Sequence, residues 1–192
     1  MKKKRKQSGR QSNALTLISY KITGEPVDTG WDIPPKLMDQ LPVLHAITIS
    51  DPQKAVDLLE KLKEMYPNVP QVFNLLGLAY TNLGNKTKAN EIAKENYFKN
   101  PDYLFAKTNY AELFIQKKQF DKIPSIFDNK LDLKLLYPQR DEFHFSEVAA
   151  FFGIIGLYYV YINDMERANF CYKIMRKVYP DHTLTKRLLK YL

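Results

Sequence analysis

Apolar residues recur at helical spacing along most of the chain. In 71–83, Val72, Phe73, Leu76, Ala79, Tyr80 and Leu83 fall on one face of a 3.6-residue period. Leu75 and Leu78 widen that face, as a helix contacted on two sides requires. The most apolar run is Val148–Ile162 (VAAFFGIIGLYYVYI). As a helix it spans about 22 Å, short of the ~30 Å hydrocarbon core of a bilayer, so a buried core helix is predicted. Glu147 and Asp164 close it on both sides. Asp51-Pro52 and Asn163-Asp164 offer N-caps for further helices, with Pro52 at the permissive first helical position. Residues 183–191 (TLTKRLLKY) read as a final amphipathic capping helix. No alternating run is long enough to predict a sheet. One short candidate strand, Leu15–Ile22, alternates imperfectly and is left as part of an N-terminal arm.

The helical segments repeat. Ala55 and Pro67, Ala89 and Pro101, and Ala168 and Pro180 are separated by one constant interval, and the first two pairs are offset by 34. Phe73-x-x-Leu76-Gly77-x-x-Tyr80 precedes the second pair and Phe152-x-x-Ile155-Gly156-x-x-Tyr159 the last. The spacing from Gly77 to Ala89 equals that from Gly156 to Ala168. This pattern resembles the tetratricopeptide repeat (TPR), a 34-residue helix–turn–helix unit, over about residues 36–180. The fold so implied is all-α: a right-handed superhelical solenoid of antiparallel helix pairs, about 3.5–4 TPR-like units, with a C-terminal capping helix.

Four units follow from the spacing. In 36–69 Pro42 occupies a core-leucine position, which predicts a short or kinked first helix. Residues 70–103 fit best, with Gly84 at the turn between helices. Residues 104–137 keep Phe114, Phe120 and Phe127 but carry Lys107, Ala111 and Ile123 where the pattern has an aromatic, a glycine and an alanine. Residues 149–182 follow at an offset of 45 rather than 34, so an insertion is expected near 132–142. Small residues at Gly77, Ala89, Gly156 and Ala168 would let paired helices approach closely. The chain thus divides into a basic arm, 1–34, and a repeat domain, 35–192. Gly24, Pro26, Gly30, Pro34 and Pro35 punctuate the approach to the first helix, where Trp31 is expected to anchor the arm on the first unit.

Composition sharpens this picture. The 192 residues carry a formal charge of +8, and six unopposed cations lie within residues 1–10: Lys2, Lys3, Lys4, Arg5, Lys6 and Arg10. From Gln11 onward basic and acidic side chains nearly balance, so the body is close to neutral. Five consecutive cations, Lys2–Lys6, suit phosphates, an anionic surface or an import receptor, or form a solvated tail. One cysteine, Cys171, excludes an internal disulfide framework and fits a reducing compartment. The start lacks the apolar core and cleavage site of a secretory signal, and a cytoplasmic location is expected, or a nuclear one in a eukaryotic host.

Catalytic constellations are scarce. The chain has no Gly-x-Ser-x-Gly elbow, no phosphate loop and no His-Glu-x-x-His. Gly153-Ile-Ile-Gly156 reads as helix packing rather than a nucleotide loop. Asp141, His144 and Glu147 have the i,i+3 spacing that can place metal ligands on one helical face, but no second such face is visible. Acidic residues favoured near a helix N-terminus account for the cluster without a metal. Cys171, beside Phe170 and Tyr172, reads as a buried structural thiol. No cofactor or metal and no enzymatic activity are expected.

The resemblance implies a binding scaffold whose concave face, lined by first helices, holds an extended peptide or a partner helix. Carried over residue by residue, the groove positions are Asn74, Leu78 and Asn82, then Thr108, Glu112 and Gln116 with Asn109 adjacent. Asparagine suits such a face because it can both donate to and accept from any peptide backbone. Some TPR domains grip a terminal carboxylate with a basic clamp. Here the matching positions are Leu44, Asn74, Leu78, Phe105 and Asn109, without Lys or Arg, so an amphipathic or apolar peptide is expected instead. Of the surplus aromatics Tyr158, Tyr159 and Tyr161, some are expected to face the groove or a second copy; Tyr161 is assigned to the groove. The implied function is a non-enzymatic adaptor or chaperone for another protein. The alternative is a nucleic-acid-associated protein that uses the basic tail.

Overall fold

A computed structural model describes residues 20–27 and 30–192. The cationic run Lys2–Lys6 lies outside them. The described chain is mostly helical, with α1 (Pro35–Ser50), α2 (Pro52–Met65), α3 (Pro70–Asn82), α4 (Lys86–Lys99), α5 (Leu104–Gln116), α6 (Ile123–Ile126), α7 (Leu133–Leu136), α8 (Phe145–Tyr161), α9 (Met165–Val178) and α10 (Thr183–Leu189). Two short strands, β1 (Lys21–Thr23) and β2 (Glu142–His144), pair in parallel with Ile22 opposite Phe143. This sheet is a correction to the helix-only reading. It forms because the arm lays Lys21 against the insertion, where Lys21 N–H donates to Asp141 O at 2.8 Å and its ammonium pairs with Glu142 at 2.8 Å.

Packing follows chain order. α1 packs on α2 and α3, α3 on α2, α4 and α5, and α5 on α4 and α8, while α8, α9 and α10 pack on one another. The long helices thus come as pairs, except that after α5 the chain makes only a 3-10 turn (Phe120–Lys122) and the one-turn helices α6 and α7.

The turns after α3, α5 and α8 are alike for a local reason. Gly84, Lys118 and Asn163 adopt φ of 74°, 58° and 58° after α3, α5 and α8. The N–H of the next residue then reaches back across the turn to a carbonyl of the helix just ended. Asn85 donates to Tyr80 O at 2.9 Å, Gln119 to Phe114 O at 2.8 Å and Asp164 to Tyr159 O at 2.9 Å. The offsets, 34 and 45, are those of the sequence pattern. Three second helices start on side-chain caps: Asp51 accepts from Lys54 N–H, Asn85 from Lys88 N–H and Asp164 from Arg167 N–H, each at 3.1 Å.

Pro42 does not shorten α1, which runs 16 residues through it. Both Pro42 and Met38, one turn earlier, lie on the exposed side, where water can meet the carbonyl that the missing N–H leaves free. Trp31 is also displaced from expectation. It meets Tyr103 at the start of α5 edge-on, with ring centroids 6.0 Å apart, a contact the sequence did not point to.

Gly153 and Gly156 serve packing, as expected, and the helix they admit is α10 as well as α9. A Cβ on Gly153 would lie 2.6 Å from Leu184 Cβ, and one on Gly156 2.5 Å from Leu188 Cδ2 and 3.1 Å from Cys171 Cβ. His182 caps α10, its Nδ1 accepting from Leu184 N–H at 3.3 Å, and burial lowers its pKa, which preserves that acceptor. No described helix is long and apolar enough to cross a membrane.

Gly153→Ala should therefore detach α10, costing about 1–3 kcal/mol in a urea titration and exposing residues 183–192 to protease. Gly77→Ala is the control: its Cβ would meet Ile92 Cγ2 at an ordinary 3.7 Å, and added helix propensity should leave stability unchanged or raise it. Equal losses in both variants would contradict the packing assigned to α10.

Candidate binding surface

The first helices of successive pairs lie side by side, and their polar residues meet across the joints. Asn109 Nδ2 on α5 donates to Asn74 Oδ1 on α3 at 2.8 Å. Asn82 Nδ2, at the end of α3, donates to Thr48 O in the last turn of α1 at 2.8 Å. Phe120, just past α5, stacks on Tyr161 at the end of α8, with centroids 4.6 Å apart and planes 13° apart.

Of the groove positions read from sequence, the structure brings Asn74 and Asn109 into direct contact. Leu78 is half-buried beside them, and Asn82, Gln116 and Tyr161 are exposed at the helix ends. Thr108 is buried, its hydroxyl donating to Phe105 O at 3.2 Å, so it offers nothing to a partner. Glu112 is engaged by α10, its Oε1 accepting from Arg187 Nη1 at 2.6 Å. Tyr159 is buried with the Arg167 guanidinium 5.0 Å above its ring, and Tyr158 packs half-buried against the core. The Asn74–Asn109 bond uses one donor and one acceptor. Among the described residues it leaves Asn74 Nδ2 and Asn109 Oδ1 open, a pair matched to one peptide unit.

Asp141, His144 and Glu147 are each committed elsewhere. Asp141 pairs with Lys134. His144 N–H donates to Glu147 Oε2 at 3.0 Å, and its Nδ1 accepts from Ser146 N–H at 3.3 Å. Its Nε2 lies 3.2 Å from Gly24 O, so Nε2 carries the proton and ties the arm to the start of α8. Glu147, 3% exposed, takes a two-pronged bond from Arg140: Nη1 to Oε1 at 3.0 Å and Nη2 to Oε2 at 2.8 Å. The guanidinium also stacks 4.2 Å from the Phe143 ring centre. Sequence reasoning missed this pair. Its only signal was a cation two helical turns before an acid, across an insertion whose path no periodicity fixes.

The pair forms part of the wall of a cavity of about 360 Å³ that Trp31, Asp102, Tyr103 and Tyr137 also line. Tyr137 donates its hydroxyl proton to Asp102 O at 2.9 Å. Burial pushes the Tyr103 and Tyr137 phenols well above their ordinary pKa, so neither serves as a base near neutrality. Burial likewise pushes the Cys171 thiol up to about 12, which leaves it protonated and unreactive. No protein-family model and no curated protein matches the chain.

Glu147→Gln should cost about 3–5 kcal/mol, because it removes the buried carboxylate that balances the Arg140 charge. The double variant Arg140→Met/Glu147→Leu should recover most of that loss. Urea unfolding followed by Trp31 fluorescence and by circular dichroism measures both, and a single-variant cost below about 1 kcal/mol would show the pair to be solvent-screened.

Proposed function

We propose that this chain is a non-enzymatic scaffold built of TPR-like units. It is a right-handed solenoid of helix pairs whose concave face holds an extended peptide or a helix of another protein. Packing in chain order and the three matching turns at offsets of 34 and 45 support the architecture. The observation that carries the function is the Asn74–Asn109 pair across the joint between α3 and α5, which keeps one donor and one acceptor open beside the half-buried Leu78. A rigid amide pair of this kind reads backbone rather than side chains, and the apolar neighbour supplies contact area. An adaptor or chaperone for apolar or amphipathic segments is the activity that fits.

A photo-crosslinking residue placed at Leu78 tests this in native lysate. Discrete protein adducts should form, survive nuclease, and fall at least tenfold in Asn74→Ala/Asn109→Ala while helical content by circular dichroism is retained. Adducts that vanish with nuclease, or with removal of residues 1–10, would transfer the function to the basic tail and nucleic acid.

A further inference from the structure

The edge of the molecule where the first helices end carries large apolar side chains that stay exposed. Ile49, Leu83 and Ile162 occupy the same place at the ends of α1, α3 and α8, at intervals set by the repeat offsets of 34 and 45. They are 66%, 39% and 44% exposed, and Tyr161 beside Ile162 is 54% exposed. At the remaining equivalent place, after α5, stands Lys117. The Asn82 bond to Thr48 O and the Phe120–Tyr161 stack hold these helix ends next to one another. With packed helices about 8–10 Å apart, four of them make a strip roughly 25–30 Å long.

The middle of the strip is cationic. Among the described residues Lys86, Lys117 and Lys118 have no ion-pair partner, and the fourth lysine nearby, Lys122, is matched only by its neighbour Asp121 at 3.4 Å. The order of surfaces along the edge is therefore apolar (Ile49, Leu83), basic (Lys86, Lys117, Lys118), then apolar and aromatic (Ile162, Tyr161).

We propose that this edge docks an amphipathic helix of a partner protein, about 18 residues long, apolar toward both ends and acidic in the middle. A helix of that length spans about 27 Å, the length of the strip. The charge order selects an acidic centre, and like charge excludes the chain's own residues 1–19, which hold six basic residues and no acid. The surface lies at the helix ends, about 12–14 Å along α3 and α5 from the Asn74–Asn109 pair.

Three fluorescein-labelled helical peptides of that length test the proposal by anisotropy with the full chain. One has an apolar face with three central Glu, one the same face with three central Lys, and one the Glu centre with its apolar residues scrambled. The Glu-centred peptide should bind at least tenfold tighter than either other. Lys117→Glu/Lys118→Glu should reverse the order of the first two. Ile49→Ser/Ile162→Ser should weaken binding at least tenfold at unchanged melting temperature. Equal binding of all three peptides would overturn the proposal. So would a Glu preference that survives the charge reversal, which would place binding on the N-terminal lysines. Phosphatidylserine vesicles that bind the same edge and displace the peptide would make it a lipid surface and overturn the proposal too.

Discussion

The joint between α4 and α5 carries the molecule. The core is two apolar clusters: one runs from Leu37 to Ile92 through α1–α4, the other from Leu104 to Leu188 through α5–α10. What joins them is largely a half-buried seam of rings and amides. Tyr97 stacks on Tyr110 at 4.3 Å, Asn74 bonds Asn109 at 2.8 Å, and Trp31 leans on Tyr103 from the arm. Contacts of this kind are directional, so they fix how one half meets the other while adding less burial than an apolar core would.

Beyond that joint, the second half must compensate for a missing long helix. α5 is followed by short pieces, and a buried lysine holds them in place: Lys107 Nζ donates to Ile126 O at 3.0 Å, the end of α6, and pairs with Asp128 at 3.3 Å. The insertion is then pinned to α8 by Arg140 and Glu147, and β2 in turn receives β1. Through this chain of contacts the arm, which leads into α1, is fastened to α8 at the far end of the fold.

Much of this was legible in the sequence because it is local. Caps at Asp51 and Asp164, the turn at Gly84 and the glycines of Gly153-x-x-Gly156 follow from the backbone needs of a helix end or a close helix contact, and short spacing displays them. Asn74 and Asn109 were legible as candidates because the offset of 34 puts Asn109 one residue past the equivalent of Asn74, whereas the bond between them was not foreseen. What stayed hidden depends on contacts distant in sequence or on an aperiodic segment. The strand pairing of residues 21–23 with 142–144, the course of Trp31 to Tyr103 and the Arg140–Glu147 bond belong to that class. The shortening expected at Pro42 failed for another reason: its cost depends on which way the helix faces, and on an exposed face the orphaned carbonyl can find water.

Native-state hydrogen exchange on the full chain at increasing urea tests the central claim, that two apolar clusters meet at a polar joint. Amides of α1–α4 and of α5–α10 should converge on two separate opening isotherms, with α8 and α9 in the more stable unit. Convergence of all helices on one isotherm of common slope would show a single cooperative core and contradict the account.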